Sequence, residues 1–183
     1  MTTALILIDI QNDYFPGGKG ELEKPLEAAA QARQLLEFFR GQNWPIVHIQ
    51  HVATRPGATT FLPETQGVKI HASIAALEGE TVIVKHFPNS FRETRLLEYL
   101  KGLGADRLVL CGMMTHMCVD ASMRAAADFG YPVILAADAC TTRTLVFGEI
   151  KIPAEYVHAA FLAALKSYGQ VLKTIEILEH LKG

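Results

Sequence analysis

Three side chains of complementary chemistry stand just past apolar runs of strand length. Asp9 ends Leu5-Ile6-Leu7-Ile8, and Lys85 ends Val82-Ile83-Val84. Cys118 follows Leu108-Val109-Leu110-Cys111 after the turn Gly112-Met113-Met114-Thr115-His116-Met117. A carboxylate that takes and returns a proton, an ammonium that balances charge and a thiol that attacks a carbonyl are the parts of nucleophilic catalysis by cysteine. Taken singly, Asp9 reads as a turn residue, Lys85 as a solvated lysine leaving a strand and Cys118 as an inert small core residue. Those readings leave unexplained why all three fall at the same edge. Cys118 also opens an expected helix, where unpaired N–H groups and the dipole favour a thiolate.

The elements that must carry these groups alternate. Strands are expected over Leu5–Ile8, Ile46–Ile49, Thr81–Val84, Arg107–Cys111 and Val133–Ala136, with a short one at Val171 and Leu172. Helical periodicity covers Leu26–Phe39, with Leu26, Ala29, Ala30, Leu35, Leu36 and Phe39 mostly on one face. Pro25 suits its first turn and Gly41 its end. Further helices are expected over Arg92–Leu100, Cys118–Phe129, Pro153–Ser167 and Ile175–Leu181. Strand and helix in alternation, joined by right-handed crossovers, predict an α/β three-layer sandwich. Its doubly wound, Rossmann-like sheet is mostly parallel, with about six strands and helices on both faces. Continuous apolar strands fit burial on both sides. Such sheets bind ligands outside the carboxyl ends of their strands, where Asp9, Lys85 and Cys118 are expected. Two long non-periodic stretches, Gln11–Lys24 and His51–Ala72, have the length of functional loops.

The 183 residues, half of them hydrophobic and 20% charged, suffice for one domain spanning 1–183 with a full core. A formal charge of −2 gives no polybasic surface, so neither nucleic acid nor a membrane is an expected partner. The longest N-terminal apolar run, Ala4–Ile8, is too short for a signal or a membrane span, so a cytoplasmic location is expected. Cys111 and Cys140 read as structural, and no Cys-x-x-Cys pair supports redox chemistry at Cys118.

Together, Asp9, Lys85 and the Gly112-x-x-Thr115-x-x-Cys118-Val119 turn resemble the isochorismatase-like cysteine hydrolases, which include nicotinamidases, N-carbamoylsarcosine amidohydrolases and isochorismatases. Asp138-Ala139-Cys140-Thr141-Thr142-Arg143 and Val157-His158-Ala159-Ala160 are similar to the family as well, so the resemblance covers nearly the whole chain. It implies a triad of Asp9, Lys85 and Cys118. It also implies a cis peptide at Met113–Met114, which aims the Met114 N–H at the same point as the Cys118 N–H to form an oxyanion hole. The implied activity is hydrolysis of a small amide or ureido C–N bond through a thioester. The alternatives are a vinyl ether hydrolase of the isochorismatase type, which need not use a cysteine, and a non-catalytic ligand-binding or scaffold member.

The sequence departs from the nicotinamidases, which hold a metal with an Asp-x-His motif after the second strand. Here that segment reads His48-Ile49-Gln50-His51-Val52-Ala53, and two histidines three apart on a strand face opposite ways. With His48, His51 and His71 as the only candidate ligands there, no metal and no cofactor are expected. Arg55, Lys69, Arg92 and Arg143 read as surface residues rather than a basic pocket for a dicarboxylate. His86 and His116 read as structural. Phe15, Phe87, Phe91 and Gln11 are the candidate substrate-binding residues, suiting a small, mostly apolar substrate. The apolar loop Val146–Ile152 suggests a subunit interface, so a homodimer or higher homo-oligomer is expected.

Overall fold

The computed structural model describes residues 2–182. The chain runs β1 (Thr2–Ile8), α1 (Pro25–Gly41), β2 (Ile46–His51), β3 (Thr81–Lys85), α2 (Leu96–Gly102), β4 (Ala105–Met113), α3 (Asp120–Asp128), β5 (Val133–Thr141), β6 (Leu145–Phe147), β7 (Ile150–Ile152), α4 (Ala154–Leu165), β8 (Gln170–Leu172) and α5 (Thr174–Lys182). Six strands pair in parallel in the order β3-β2-β1-β4-β5-β8. Strand order therefore reverses between β1 and β4, and a crevice opens at the carboxyl ends of strands flanking such a switch.

The two faces are covered by different helices. Leu5, Leu7, Val109 and Cys111 pack with Ala28, Ala32, Leu35 and Leu36 of α1 and with Ile177 and Leu178 of α5. Ala4, Ile6, Ile8, Val47, Ile49 and Ile83 pack with Leu96 and Leu100 of α2, Met123 of α3 and Leu165 of α4. Each aliphatic side chain so buried contributes on the order of 1.5–3 kcal/mol. Among the described residues, no helix is long and apolar enough to cross a membrane.

Several elements differ from their expected form. Leu26 and Ala30 are exposed, and Ala28 and Ala32 complete the buried stripe of α1 in their place. The helix expected from Arg92 begins only at Leu96, because Glu93 takes a positive φ of 55° that interrupts an α-helix. β3 lies at the sheet edge: Val82 and Val84 are exposed, while Ile83 and Lys85 point inward. It is therefore not buried on both sides, and period 2 places the lysine beside Ile83 on the α2–α3–α4 side. β5 runs on past Ala136 to Thr141, so Cys140 lies in the strand. The segment Val146–Ile152 is a β6–β7 hairpin rather than a loop.

Gly112 decides how closely the two central strands approach. Its φ is +130°, and a Cβ there would stand 2.0 Å from the Ile8 carbonyl oxygen. Only glycine takes this conformation in this space. The end of β4 thereby lies against the end of β1, one residue before Asp9.

Candidate active site

Each functional side chain is set by the end of its strand. Asp9 leaves β1 with a φ of 50°, a left-handed conformation that Asp tolerates better than most residues. Lys85 is the last residue of β3. Cys118 lies in a π-turn over Thr115–Val119 that links β4 to α3, so it stands two residues before the first residue of that helix rather than opening it. The Met113–Met114 peptide is cis. The Met114 carbonyl accepts the N–H groups of Met117 and Val119 at 3.0 and 3.2 Å, which fixes the turn.

The three groups meet at the Lys85 ammonium. Its Nζ lies 2.7 Å from Asp9 Oδ2 and 3.3 Å from Cys118 Sγ. It also contacts the Phe87 carbonyl at 3.0 Å and His51 Nδ1 at 3.1 Å. Asp9 and Lys85 are fully buried, and Cys118 is 6% exposed. Beyond the Lys85 contact, neither Asp9 carboxylate oxygen has a hydrogen-bond partner among the described residues, which leaves the lysine as the compensating charge.

Burial would lower the Lys85 pKa, but Asp9 and then Cys118 outweigh it and raise it above 10.5, so the ammonium stays charged. Burial, followed by Asp9, raises the Cys118 pKa well above the usual thiol range against the opposing pull of Lys85. The thiol therefore rests protonated. This reverses the thiolate expected from a helix start: a buried sulfur beside a carboxylate outweighs the turn that precedes α3. Burial, then Lys85, lowers His51 to about 4, so its imidazole is neutral near pH 7.

The other candidate residues are placed around this cluster. Gln11 is fully buried and bound to backbone: its Nε2 donates to the carbonyls of Val68 and His51 at 2.6 and 2.9 Å, and its Oε1 accepts the His51 N–H at 2.7 Å. Its carbonyl and its amino group are thus both engaged with backbone at His51 and Val68. Phe15 stacks on His71 with centroids 3.7 Å apart. Phe91 packs at 5.3 Å against Phe129, in the same buried cluster as Cys118. The Phe87 ring carries the Arg92 guanidinium at 3.7 Å, while its carbonyl holds Lys85. Cys111 and Cys140 are buried free thiols.

Tyr14 and Phe61 join the site without having been singled out for it, and His51, named only as a candidate metal ligand, stands beside Lys85. His51 ends β2 in register with Lys85, and alternation puts it on the same face as Val47 and Ile49. A strand ending at Ile49 hides that relation; one carried two residues further shows it. Tyr14 and Phe61 pack edge to face at 4.7 Å, and Phe61 lies 5.7 Å from the His51 ring. Burial, then the nearby Cys118 and Asp9, raises the Tyr14 pKa, so its phenol stays neutral.

The metal question turns on the same cluster. Ligand atoms of Asp9, His51 and Cys118 lie within 4.8 Å of one another. The Lys85 ammonium already touches all three, so a divalent cation would bring its charge against a buried, permanently charged lysine. The residues present do not fit a metal. His48 is engaged elsewhere by Glu80 at 2.9 Å, and His71 bonds Ser73 at 2.8 Å.

Residues 3–176 match the family model described as the isochorismatase domain. The chain belongs to the isochorismatase family. It is 51% identical over 176 residues to the isochorismatase family protein YddQ of Bacillus subtilis, covering 96% of this chain and 98% of that one. A crystal structure from Oleispira antarctica assigned to the isochorismatase hydrolases superposes with a TM-score of 0.94 at 48% identity, covering 97% of this chain and 96% of that one. The chain is 30% identical over 139 residues to a streptothricin hydrolase of Streptomyces noursei, covering 76% of this chain and 49% of that protein. This member of the family is a hydrolase with an α/β fold built on a parallel sheet.

Proposed function

We propose that this hydrolase cleaves the C–N bond of a small amide or ureido compound through a thioester at Cys118. The observation that carries the reading is the Lys85 ammonium, held at once against Asp9 Oδ2 at 2.7 Å and Cys118 Sγ at 3.3 Å in a buried site. That arrangement suits an acid–base carboxylate and a thiol sharing one counter-charge.

In the reaction we infer, Asp9 takes the Cys118 proton as the sulfur bonds to the substrate carbonyl carbon. The N–H groups of Met114 and Cys118 stabilise the resulting oxyanion. The C–N bond breaks as Asp9 returns the proton to the departing nitrogen, leaving a thioester. A water then gives a proton to Asp9 and attacks the acyl carbon, and the released sulfur takes that proton back. One carboxylate serves as base, acid, base and acid because each step restores its state. Lys85 keeps its proton throughout and stays beside whichever group is anionic. Cys118 at 6% and Met114 at 7% exposure leave a narrow opening, which favours a small substrate.

The test is to incubate the protein with a panel of small amides and ureides and read acid-quenched samples by intact and peptide mass. An acyl adduct on Cys118, with release of amine or ammonia that Cys118→Ala abolishes while remaining folded, is the expected result. Turnover that survives in a folded Cys118→Ala protein, including turnover of a vinyl ether, overturns it.

A further inference from the structure

We infer that His51 is a positioning residue for Lys85: its Nδ1 lone pair takes one of the three ammonium N–H groups and keeps Nζ in the gap between Asp9 and Cys118. The inference rests on the cysteine-hydrolase reading and adds a residue to it. Lys85 has three N–H donors and faces Asp9 Oδ2 at 2.7 Å, the Phe87 carbonyl at 3.0 Å, His51 Nδ1 at 3.1 Å and Cys118 Sγ at 3.3 Å. At rest the sulfur carries its own proton and is a weak acceptor. The carboxylate, the carbonyl and the imidazole therefore take the three N–H groups. Without His51, one N–H of a fully buried ammonium loses its acceptor, and Nζ is free to settle towards Asp9 and away from the sulfur.

The imidazole is itself held in place. The backbone N–H and carbonyl of His51 are both bound by the one side chain of Gln11, at 2.7 and 2.9 Å. The neighbouring Val52 N–H donates to the Lys85 carbonyl at 2.9 Å, and the ring leans on Phe61 at 5.7 Å. The charged and titratable groups acting on His51 are Lys85, Asp9 and His86. Burial and Lys85 keep the ring neutral, as an acceptor must be. A neutral ring that accepts at Nδ1 carries its proton on Nε2.

The experiment follows alkylation of Cys118 by iodoacetamide, by peptide mass on the full chain, from about pH 6 to about pH 9.5, a range that brackets the free-thiol pKa. It compares the wild type, His51→Ala and His51→Asn, whose Oδ1 stands close to the place of Nδ1. His51→Ala is expected to alkylate about 10-fold to 100-fold more slowly across this range, the rate equivalent of one hydrogen bond to a charged group. His51→Asn is expected to recover most of that loss, which a merely structural role would not give. A His51→Ala protein whose Cys118 reacts at the wild-type rate or faster overturns the inference and leaves the nucleophile standing. A wild-type Cys118 no more reactive than Cys111 or Cys140 overturns the hydrolase reading itself. Nitrogen NMR of the wild type gives a second test that needs no variant. A bare Nδ1 and protonated Nε2 on His51 at neutral pH support the inference, and a protonated Nδ1 overturns it.

Discussion

Replacing Lys85 by Met isolates the energetic consequence of the buried ion pair. Nζ and Asp9 Oδ2 stand 2.7 Å apart with both side chains fully buried. At an effective dielectric of about 20, that separation corresponds to an attraction of about 6 kcal/mol. Desolvation offsets much of this, so the pair itself adds little net stability; removing one partner is what costs. Both Asp9 oxygens lack any other hydrogen-bond donor among the described residues. Lys85→Met is therefore expected to destabilise by about 3–5 kcal/mol, the usual penalty of leaving a buried charge uncompensated. Asp9→Asn in the same chain removes that charge, and Asn tolerates the left-handed backbone at this position. The double variant is expected to be more stable than Lys85→Met by about 2 kcal/mol or more, a coupling well beyond additivity. Urea unfolding at pH 7 and fixed protein concentration reads this through Trp44, the single tryptophan, which packs at 5.4 Å against Phe39. A Lys85→Met loss below about 1 kcal/mol, or an Asp9→Asn effect that simply adds to it, refutes the picture of a dry, mutually dependent pair.

Gly112→Ala places a methyl carbon 2.0 Å from the Ile8 carbonyl at a φ of +130°; the expected loss is about 3 kcal/mol or more, read by the same unfolding assay. His51 has a folded pKa lowered to about 4, so the stability it contributes is present above about pH 6.5 and is lost as pH falls towards 4. His51→Asn should flatten the acid limb of a stability–pH curve over that window. Lys85 and Cys118 have raised folded values, so their contributions are lost as pH rises beyond the unfolded values of about 10.4 and 8.5; Cys118→Ala should shallow the alkaline limb from about pH 8.5 upward. The β6–β7 hairpin exposes Val146, Phe147 and Ile150, and light scattering is expected to give at least a dimer. Phe147→Glu should then shift that assembly towards monomer, and a wild-type monomer at micromolar concentration removes the interface from consideration.

The sheet was legible because its strands are short apolar runs separated by helical periods. The candidate site is legible because Asp9, Lys85 and Cys118 each stand just past an apolar run, at one edge of a parallel sheet. What stayed hidden depended on distances across the sheet. His51 lies 34 residues from Lys85 in sequence, yet the β2–β3 register sets them side by side. Gln11 looked available beside Asp9, but the two long loops close over it and use its amide on the carbonyls of Val68 and His51. Loop closure of that kind has no periodic signature. Glu93 takes a positive φ inside an otherwise helical pattern, which composition does not announce, so α2 starts at Leu96 rather than Arg92. A helix start argues for a thiolate at Cys118, and burial reverses it. A helix start is visible in sequence, whereas the burial that outweighs it comes from Phe91, Val119 and Met123 packed on that face of the sheet.

The resting charges bear on the proposed reaction, in which a thiol so reluctant to ionise acts as the nucleophile. With Cys118 protonated, the buried cluster holds one anion on Asp9 and one cation on Lys85. Moving the thiol proton to Asp9 leaves one anion on the sulfur and the same cation between them. Total charge in the buried site is unchanged, so no ion is brought into or out of the low-dielectric interior. The cost is the difference between an ammonium–carboxylate contact at 2.7 Å and an ammonium–sulfur contact at 3.3 Å. Release of the proton to solvent, by contrast, would leave two anions beside one ammonium. Transfer within the cluster is the cheaper route, and it delivers the proton to the group that, in the proposed reaction, next gives it to the leaving nitrogen.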